Sequence, residues 1–412
     1  MFKNAGITFG SKVLVAVINF AIIVLLSRVL GPDGKGLCSL YLVIFSTALI
    51  LCECISGATV VFLLSKFSYR QLLYIFYAWS IPASILVGAI FYWLQKINGQ
   101  ELIWILLLNW LNAATTMHQL IALGKEKLPM FNLFNILQAV LSVTAVFFCF
   151  NYVAATPIHY LIALSAAWGL TFIIGLVTVF KIPETKEKAP WPVLVKAGFK
   201  TGIANQAGTL MQLVNTRIGY MVLSGAELGI YSNAVSLCEA TLLLNSSIGT
   251  VQYSRIVHEK SRPEQIKLTH QCFWTSAWLM LAALIVLALL PPAVYTFVFG
   301  DGFEEVQQPI RLLAPGIFLW SCYIVFSYFF SGTGRFAINN FPAMAGLCIT
   351  ILGYAAAKMI GIPLTMPMVA IMLVLSYGAV FAMSLILFLQ VEKIKLRDWI
   401  KMPSRKSLKE LF

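Results

Sequence analysis

Arg217 stands in the run QLVNTRIGYMVL, residues 212–223, among side chains that otherwise suit a lipid-buried helix. Its guanidinium is a permanent cation with a planar fork of donors, the shape that grips a phosphate or a carboxylate through two parallel hydrogen bonds. The competing role is an interfacial one, since the long side chain could climb to the outer headgroups. Glu53 and Glu239 are the acidic residues set deep in apolar runs. An intramembrane carboxylate costs about 3 kcal/mol on insertion scales, so it must pair, take up a proton or face water. Either residue is therefore an ion-coupling candidate, with pairing to a nearby cation such as Arg217 or Lys12 as the plain structural alternative.

Metal, redox and cofactor chemistry find little support. The eight cysteines, at 38, 52, 54, 149, 238, 272, 322 and 348, fall almost wholly in apolar runs and read as buried free thiols. The CEC of residues 52–54 is no metal motif, because residues two apart on a helix point to different sides. The four histidines are dispersed, and none has a partner at ligand spacing. No catalytic residue, metal or cofactor is expected.

Composition says what must position these groups. The 412 residues are 60% hydrophobic and 11% charged, with a mean hydropathy of +0.86. Apolar runs of about 20 residues recur throughout, each long enough to cross roughly 30 Å of hydrocarbon as a helix. The chain reads as an all-α polytopic membrane protein with about twelve spans, at 7–30, 37–57, 71–95, 101–123, 129–150, 157–180, 198–223, 228–250, 269–291, 309–331, 336–360 and 363–390. The first run lacks a convincing small-residue cleavage site and is expected to be retained. Pro and Gly punctuate the joints, as in GPDGKG after the first span and LPPAVYTFVFGDGF after the ninth.

Basic residues set the orientation, since Lys and Arg are retained on the cytoplasmic side. With the first residues inside, 23 of the 29 fall on cytoplasmic segments and five, Arg28, Lys35, Lys96, Arg311 and Lys358, on the outer side. Arg217 is left alone within a span. The net charge of +13 is then topology plus attraction to anionic headgroups, and calls for no nucleic acid.

At 100° per residue several spans carry a polar stripe. The first has Thr8, Ser11, Lys12 and Asn19, the second Ser46 and Glu53, and the fourth Asn109, Asn112, Thr116 and Gln119. The seventh has Asn205, Thr209, Gln212 and Thr216, and the eighth Ser232, Ser236 and Glu239. Such residues also join helices for about 1 kcal/mol each, but stripes on five spans together favour a hydrated cavity. The polar segment 181–197 divides the chain into an N-terminal six-helix bundle, 1–180, and a C-terminal one, 198–390, followed by a basic tail, 391–412. FKNAGI at 2–7 echoes FKTGIA at 199–204. Parallel repeats of this kind place a binding site between the halves.

The segments LLSRVLGPDGKGLCSL, LGKEKLPMFNLFNILQ, LSGAELGIYSNAVSLCEA and YFFSGTGRFAINNF, with the basic tail KIKLRDWIKMPSRKSLKELF, resemble bacterial polysaccharide flippases. These are the Wzx-like branch of the multidrug/oligosaccharidyl-lipid/polysaccharide (MOP) exporter superfamily. The resemblance spans essentially the whole chain. It implies two six-helix bundles that move a polyprenyl-pyrophosphate-linked oligosaccharide across the bacterial inner membrane, for O-antigen, capsule or exopolysaccharide synthesis, without covalent chemistry. The expected partners are that lipid-linked substrate and membrane lipids, with a polysaccharide polymerase and a chain-length regulator beside them. Arg217, Lys12, Arg28, Asn205, Gln212 and Asn109 are the substrate-binding candidates. The alternatives are a cation-coupled multidrug exporter of the same superfamily, which the resemblance expects to carry an acidic residue in its first span where this sequence has none, and an envelope sugar polymerase or ligase, for which the outer loops are short. Peptidoglycan-precursor flippases are similar too, but that branch usually has two further spans, for which this chain lacks room.

The orientation is open to a direct check. In a background without native cysteines, Lys186→Cys and Lys393→Cys should escape a membrane-impermeant thiol reagent in intact cells and react once the membrane is opened. Labelling of either in intact cells would reverse the assignment.

Overall fold

The computed structural model describes residues 2–53, 64, 67–125, 127–184, 190–192, 217–259, 261–335, 338 and 340–401. Among them there is no strand, as expected where a bilayer leaves the backbone no partner but itself. Nine described helices are long and apolar enough to cross a membrane. Eleven of the twelve expected spans coincide with described helices. The seventh lies outside the described residues up to 216, and 217–222 are helical.

Packing divides the chain into two compact units, Met1–Leu213 and Val214–Phe412. The first holds α1 (Phe2–Glu53), α2 (Tyr69–Trp93), α3 (Gly99–Gly124), α4 (Leu128–Tyr152) and α5 (Pro157–Phe180). The first two expected spans are thus one helical stretch with a kink. Gly31, at φ 66 and ψ −176, breaks the helix in a conformation that L side chains avoid, and Pro32 opens the next limb without an N–H to satisfy.

α3 is 26 residues long, yet is not among the helices apolar enough to span alone, because Asn109, Asn112, His118 and Gln119 dilute its leucines. It starts sharply. Asn98 and Glu101 form a reciprocal capping box, and Tyr41 donates to the same Glu101 carboxylate at 2.6 Å. At the other end of this unit Tyr69 donates to the carbonyl of Ile182 at 2.7 Å, and Ser68 to Glu184 at 2.7 Å. The entry to α2 is thereby tied to the exit of α5. α3 packs on α2, α5, α4 and α1, and α1 on α4.

The second unit holds α6 (Gly225–His258), α7 (Arg262–Leu289), the short α8 (Pro292–Phe299), α9 (Gln307–Gly332), α10 (Asn340–Ile360), α11 (Met366–Glu392) and α12 (Leu396–Ile400). α9 touches α6, α7 and α11. α8 lies in a stretch that Pro and Gly mark as a joint. Its Tyr295, Phe299 and the following Phe303 are buried, and Gly300, at φ 95, ends it. The basic tail also begins with structure: Trp399 is buried against Phe273, Phe326 and Phe388, and its carbonyl meets His270 Nε2 at 2.8 Å.

One carboxylate joins three parts of this unit. Glu392, at the end of α11, accepts two bonds from Arg262 at the start of α7 and one from Arg335 after α9 at 3.1 Å. Its side chain is 4% exposed, against 32% and 43% for the arginines. Removing a buried charge from its partners costs more than losing a surface pair, though screening at these arginines reduces the figure to about 1–2 kcal/mol. Glu392→Gln should therefore lower the thermal midpoint of the purified protein, and Arg335→Gln should lower it less. Equal midpoints for Glu392→Gln and the parent would show the cluster to be incidental.

Candidate functional site

The polar stripe of α3 leads to a cavity inside the first unit. Asn112, Thr116 and Gln119 line it from α3, Asn19 from the first limb of α1, and Asn135, Gln138 and Ser142 from α4. Trp168 and Tyr160 of α5 complete the wall, and the volume is about 430 Å³, within the range of small-molecule sites. Spacing explains the arrangement: 112, 116 and 119 recur at four and three residues, on one face of a helix.

Some of this polarity is internally satisfied. Gln119 Nε2 donates to Gln138 Oε1 at 3.0 Å, Trp168 Nε1 to Ser142 Oγ at 3.1 Å, and Asn135 Nδ2 to the Phe131 carbonyl at 2.8 Å. The side chains of Asn19, Asn112 and Thr116 have no hydrogen-bond partner among the described residues. Side-chain amides offer a donor and an acceptor side by side, which is what a sugar hydroxyl uses.

Lys35 supplies the charge of this wall. It is 2% exposed, lines the cavity, and donates to Ser39 Oγ at 2.5 Å. Sequence reasoning placed it among outer-side cations and missed it, as it missed Asn135 and Gln138. The available signal was that the residue follows the Gly31–Pro32 break, where the second limb turns its first residues inward. Among the described residues the ionisable groups lining the cavity are Lys35 and Tyr160, with no Asp or Glu.

The other expected residues are placed as follows. Lys12 borders a smaller cavity of about 100 Å³ with Ser11 and Asn132, and Val15 and Asn135 belong to both cavities. Arg28 is exposed on α1 and is not part of the wall. Asn109 is fully buried, and neither atom of its amide has a partner among the described residues; it lies off the cavity. Glu53 is the half-buried last residue of α1. Asn205 and Gln212, with Thr209 and Thr216 of the same stripe, lie outside the described residues.

In the second unit two candidates meet. Arg217 Nη2 donates to Glu239 Oε2 at 3.2 Å, and Nη1 to the Tyr220 hydroxyl at 3.1 Å. The guanidinium carbon stands 5.2 Å from the Tyr220 ring centre, a cation–π distance. The two charged side chains are 27% and 31% exposed. The pair is single-pronged, so other guanidinium N–H groups have no partner among the described residues. Glu239 is thus paired with a nearby cation, the plain structural alternative to ion coupling weighed for it.

Among the described residues no group of three or more His, Cys, Asp or Glu is placed to hold a metal ion. Cys38, Cys52, Cys238, Cys272 and Cys322 are buried free thiols, whereas Cys149 is half-buried and Cys348 exposed; Cys54 lies outside the described residues.

Comparison with known proteins places this architecture. The sequence profile of a family described as "Polysaccharide biosynthesis protein" matches residues 1–257, more than half of the chain. The chain belongs to the polysaccharide biosynthesis protein family. No curated protein sequence matches it. Among solved structures, this family member is similar to the lipid II flippase MurJ in an inward closed conformation. The two are 14% identical with a TM-score of 0.74, over 100% of this chain and 92% of that one. It is also similar to an inward-facing multidrug resistance MATE family transporter of the MOP superfamily, 13% identical with a TM-score of 0.72, over 92% and 94% of the two chains. A Vibrio cholerae MATE transporter aligns at 10% identity and a TM-score of 0.64, over 95% and 96%. The family member is a multi-pass membrane protein with a MOP-type transporter fold, as its motifs implied.

The Arg217–Glu239 pair gives a stability prediction. Glu239→Gln and Arg217→Gln should each destabilise the protein, and the double variant should cost less than their sum, by about 1 kcal/mol. A thermal double-mutant cycle measures this coupling, and strict additivity would mean that the contact carries no energy.

Proposed function

We propose that the protein flips a polyprenyl-pyrophosphate-linked oligosaccharide across the bacterial inner membrane for cell-surface polysaccharide synthesis. The observation that carries this reading is the chemistry of the cavity in the first unit: side-chain amides and hydroxyls around the buried cation Lys35, with no carboxylate among the described residues of the wall. Amides match glycan hydroxyls, and an ammonium matches a phosphate or an acidic sugar. Membership of the polysaccharide biosynthesis family supports the cargo class.

The MATE likeness would equally suit a multidrug exporter. A cationic drug in this cavity would meet the Lys35 ammonium in the wall, and like charges in a low-dielectric site repel strongly. The cavity therefore favours the glycan cargo. On this reading the polyprenyl tail stays in lipid while the cavity shelters the sugar, both termini are cytoplasmic, and no bond of the substrate changes. A polymerase and a chain-length regulator would act on the product afterwards.

The test is transbilayer movement of a polyprenyl-pyrophosphate-linked oligosaccharide in liposomes with the purified protein. Flipping should occur with the glycan recovered at its original length. Lys35→Met should reduce the rate by about tenfold or more, the equivalent of one charge-assisted hydrogen bond, and Lys35→Arg should retain part of it. Arg217→Lys should keep part of the activity and Arg217→Ala little. A lengthened or cleaved glycan would point to an enzyme, and export of a cationic drug in place of glycan flipping would point to the exporter.

A further inference from the structure

The cavity occupies one face of α3, and a titratable group is buried on another. His118 is 1% exposed and lies more than 100° around the helix from Asn112 and Thr116. Its Nε2 meets the Tyr77 hydroxyl of α2 at 2.5 Å, and the ring stacks on Phe172 of α5 at 5.5 Å. Its other nitrogen, Nδ1, is buried with no hydrogen-bond partner among the described residues. The reason is Gly175 of α5: a Cβ at that position would stand 2.3 Å from Nδ1, so only glycine lets α5 close over the imidazole. Among the described residues the titratable group facing His118 from α2 is Tyr77, and Phe172 and Gly175, which face it from α5, carry none.

In neutral imidazole one nitrogen donates and the other accepts, so a single bond to Tyr77 leaves one nitrogen idle. In imidazolium both nitrogens donate, and the second N–H then needs an acceptor. The packing of Gly175 on Nδ1 leaves room for none. A proton on His118 is compatible with this bundle only if α5 withdraws from α3 far enough to admit an acceptor. The half-buried Tyr77 gives the proton a route, since its hydroxyl can accept on one side and donate on the other.

We propose that His118 is a proton-binding site of the first unit. Its protonation favours a second packing in which α3 and α5 separate at Gly175, and α3 carries the change to the cavity wall of Asn112, Thr116 and Gln119. The sign follows from linkage. The conformer described here offers the proton no second acceptor, so it prevails at high pH, and lowering the pH shifts the population to the separated one. The site is independent of the cargo, so it can be tested whether or not the flippase reading holds.

Two measurements on the purified full-length protein in nanodiscs, without substrate, decide it. With native cysteines replaced, Leu123→Cys and Val177→Cys carry spin labels on α3 and α5. The fraction of longer inter-label distances should rise about threefold or more between about pH 8 and about pH 4, the range over which a buried imidazole can take up a proton. The rise should vanish in His118→Gln, which keeps a donor toward Tyr77 but cannot titrate. In parallel, ¹⁵N-histidine spectra of a chain whose other three histidines are replaced should pass from a neutral to a doubly protonated ring as the distance changes. A ring that stays neutral throughout while the protein remains folded, a distance distribution indifferent to pH, or the same pH response in His118→Gln would each overturn the proposal.

Discussion

A bilayer interior supplies no water to a polar group, so every polar side chain must be satisfied by the protein or by something the protein admits. α3 is where this constraint is most concentrated. Four strongly polar residues, Asn109, Asn112, His118 and Gln119, remove it from the helices apolar enough to span alone, so it depends on the helices packed around it. The two amides and the hydroxyl on its cavity side need a hydrated or liganded space. His118 needs the Tyr77 hydroxyl and the bare backbone of Gly175.

The same constraint shapes the second unit differently. Arg217 and Glu239 neutralise one another, with Tyr220 taking a further guanidinium N–H. Glu392 holds two arginines at once, joining the ends of α7, α9 and α11. In the first unit, by contrast, the buried Lys35 and several side-chain amides line one cavity.

The helical class and most span positions could be read from hydropathy, because twenty-residue apolar runs leave few alternatives. The stripe of the fourth span was legible for the same reason: Asn112, Thr116 and Gln119 recur at helical spacing, and all three line the cavity. Asn109 belongs to that stripe by angle alone. It lies a turn beyond the cavity, and angle says nothing about where along a helix a neighbour closes in. Lys35 was hidden because charge counting assigns a lysine near a span end to the interface. Only the kink at Gly31 shows that the second limb starts by turning its lysine inward. α8 was hidden by prolines and glycines that mark a joint without saying what it contains.

His118 shows why residue spacing alone misses some sites. It is one of four dispersed histidines, and none of them has a partner at metal-ligand spacing. What makes it chemically uneven is a residue 57 positions away: Gly175, whose missing side chain admits the ring and whose closeness denies Nδ1 an acceptor. Had position 175 carried a serine, the hydroxyl could have served that nitrogen, but its Cβ would have driven the helices apart. Close packing and full satisfaction of the imidazole are therefore mutually exclusive at this contact. A contact that cannot meet both demands at once has two arrangements of competing merit, and the proton is the ligand that distinguishes them.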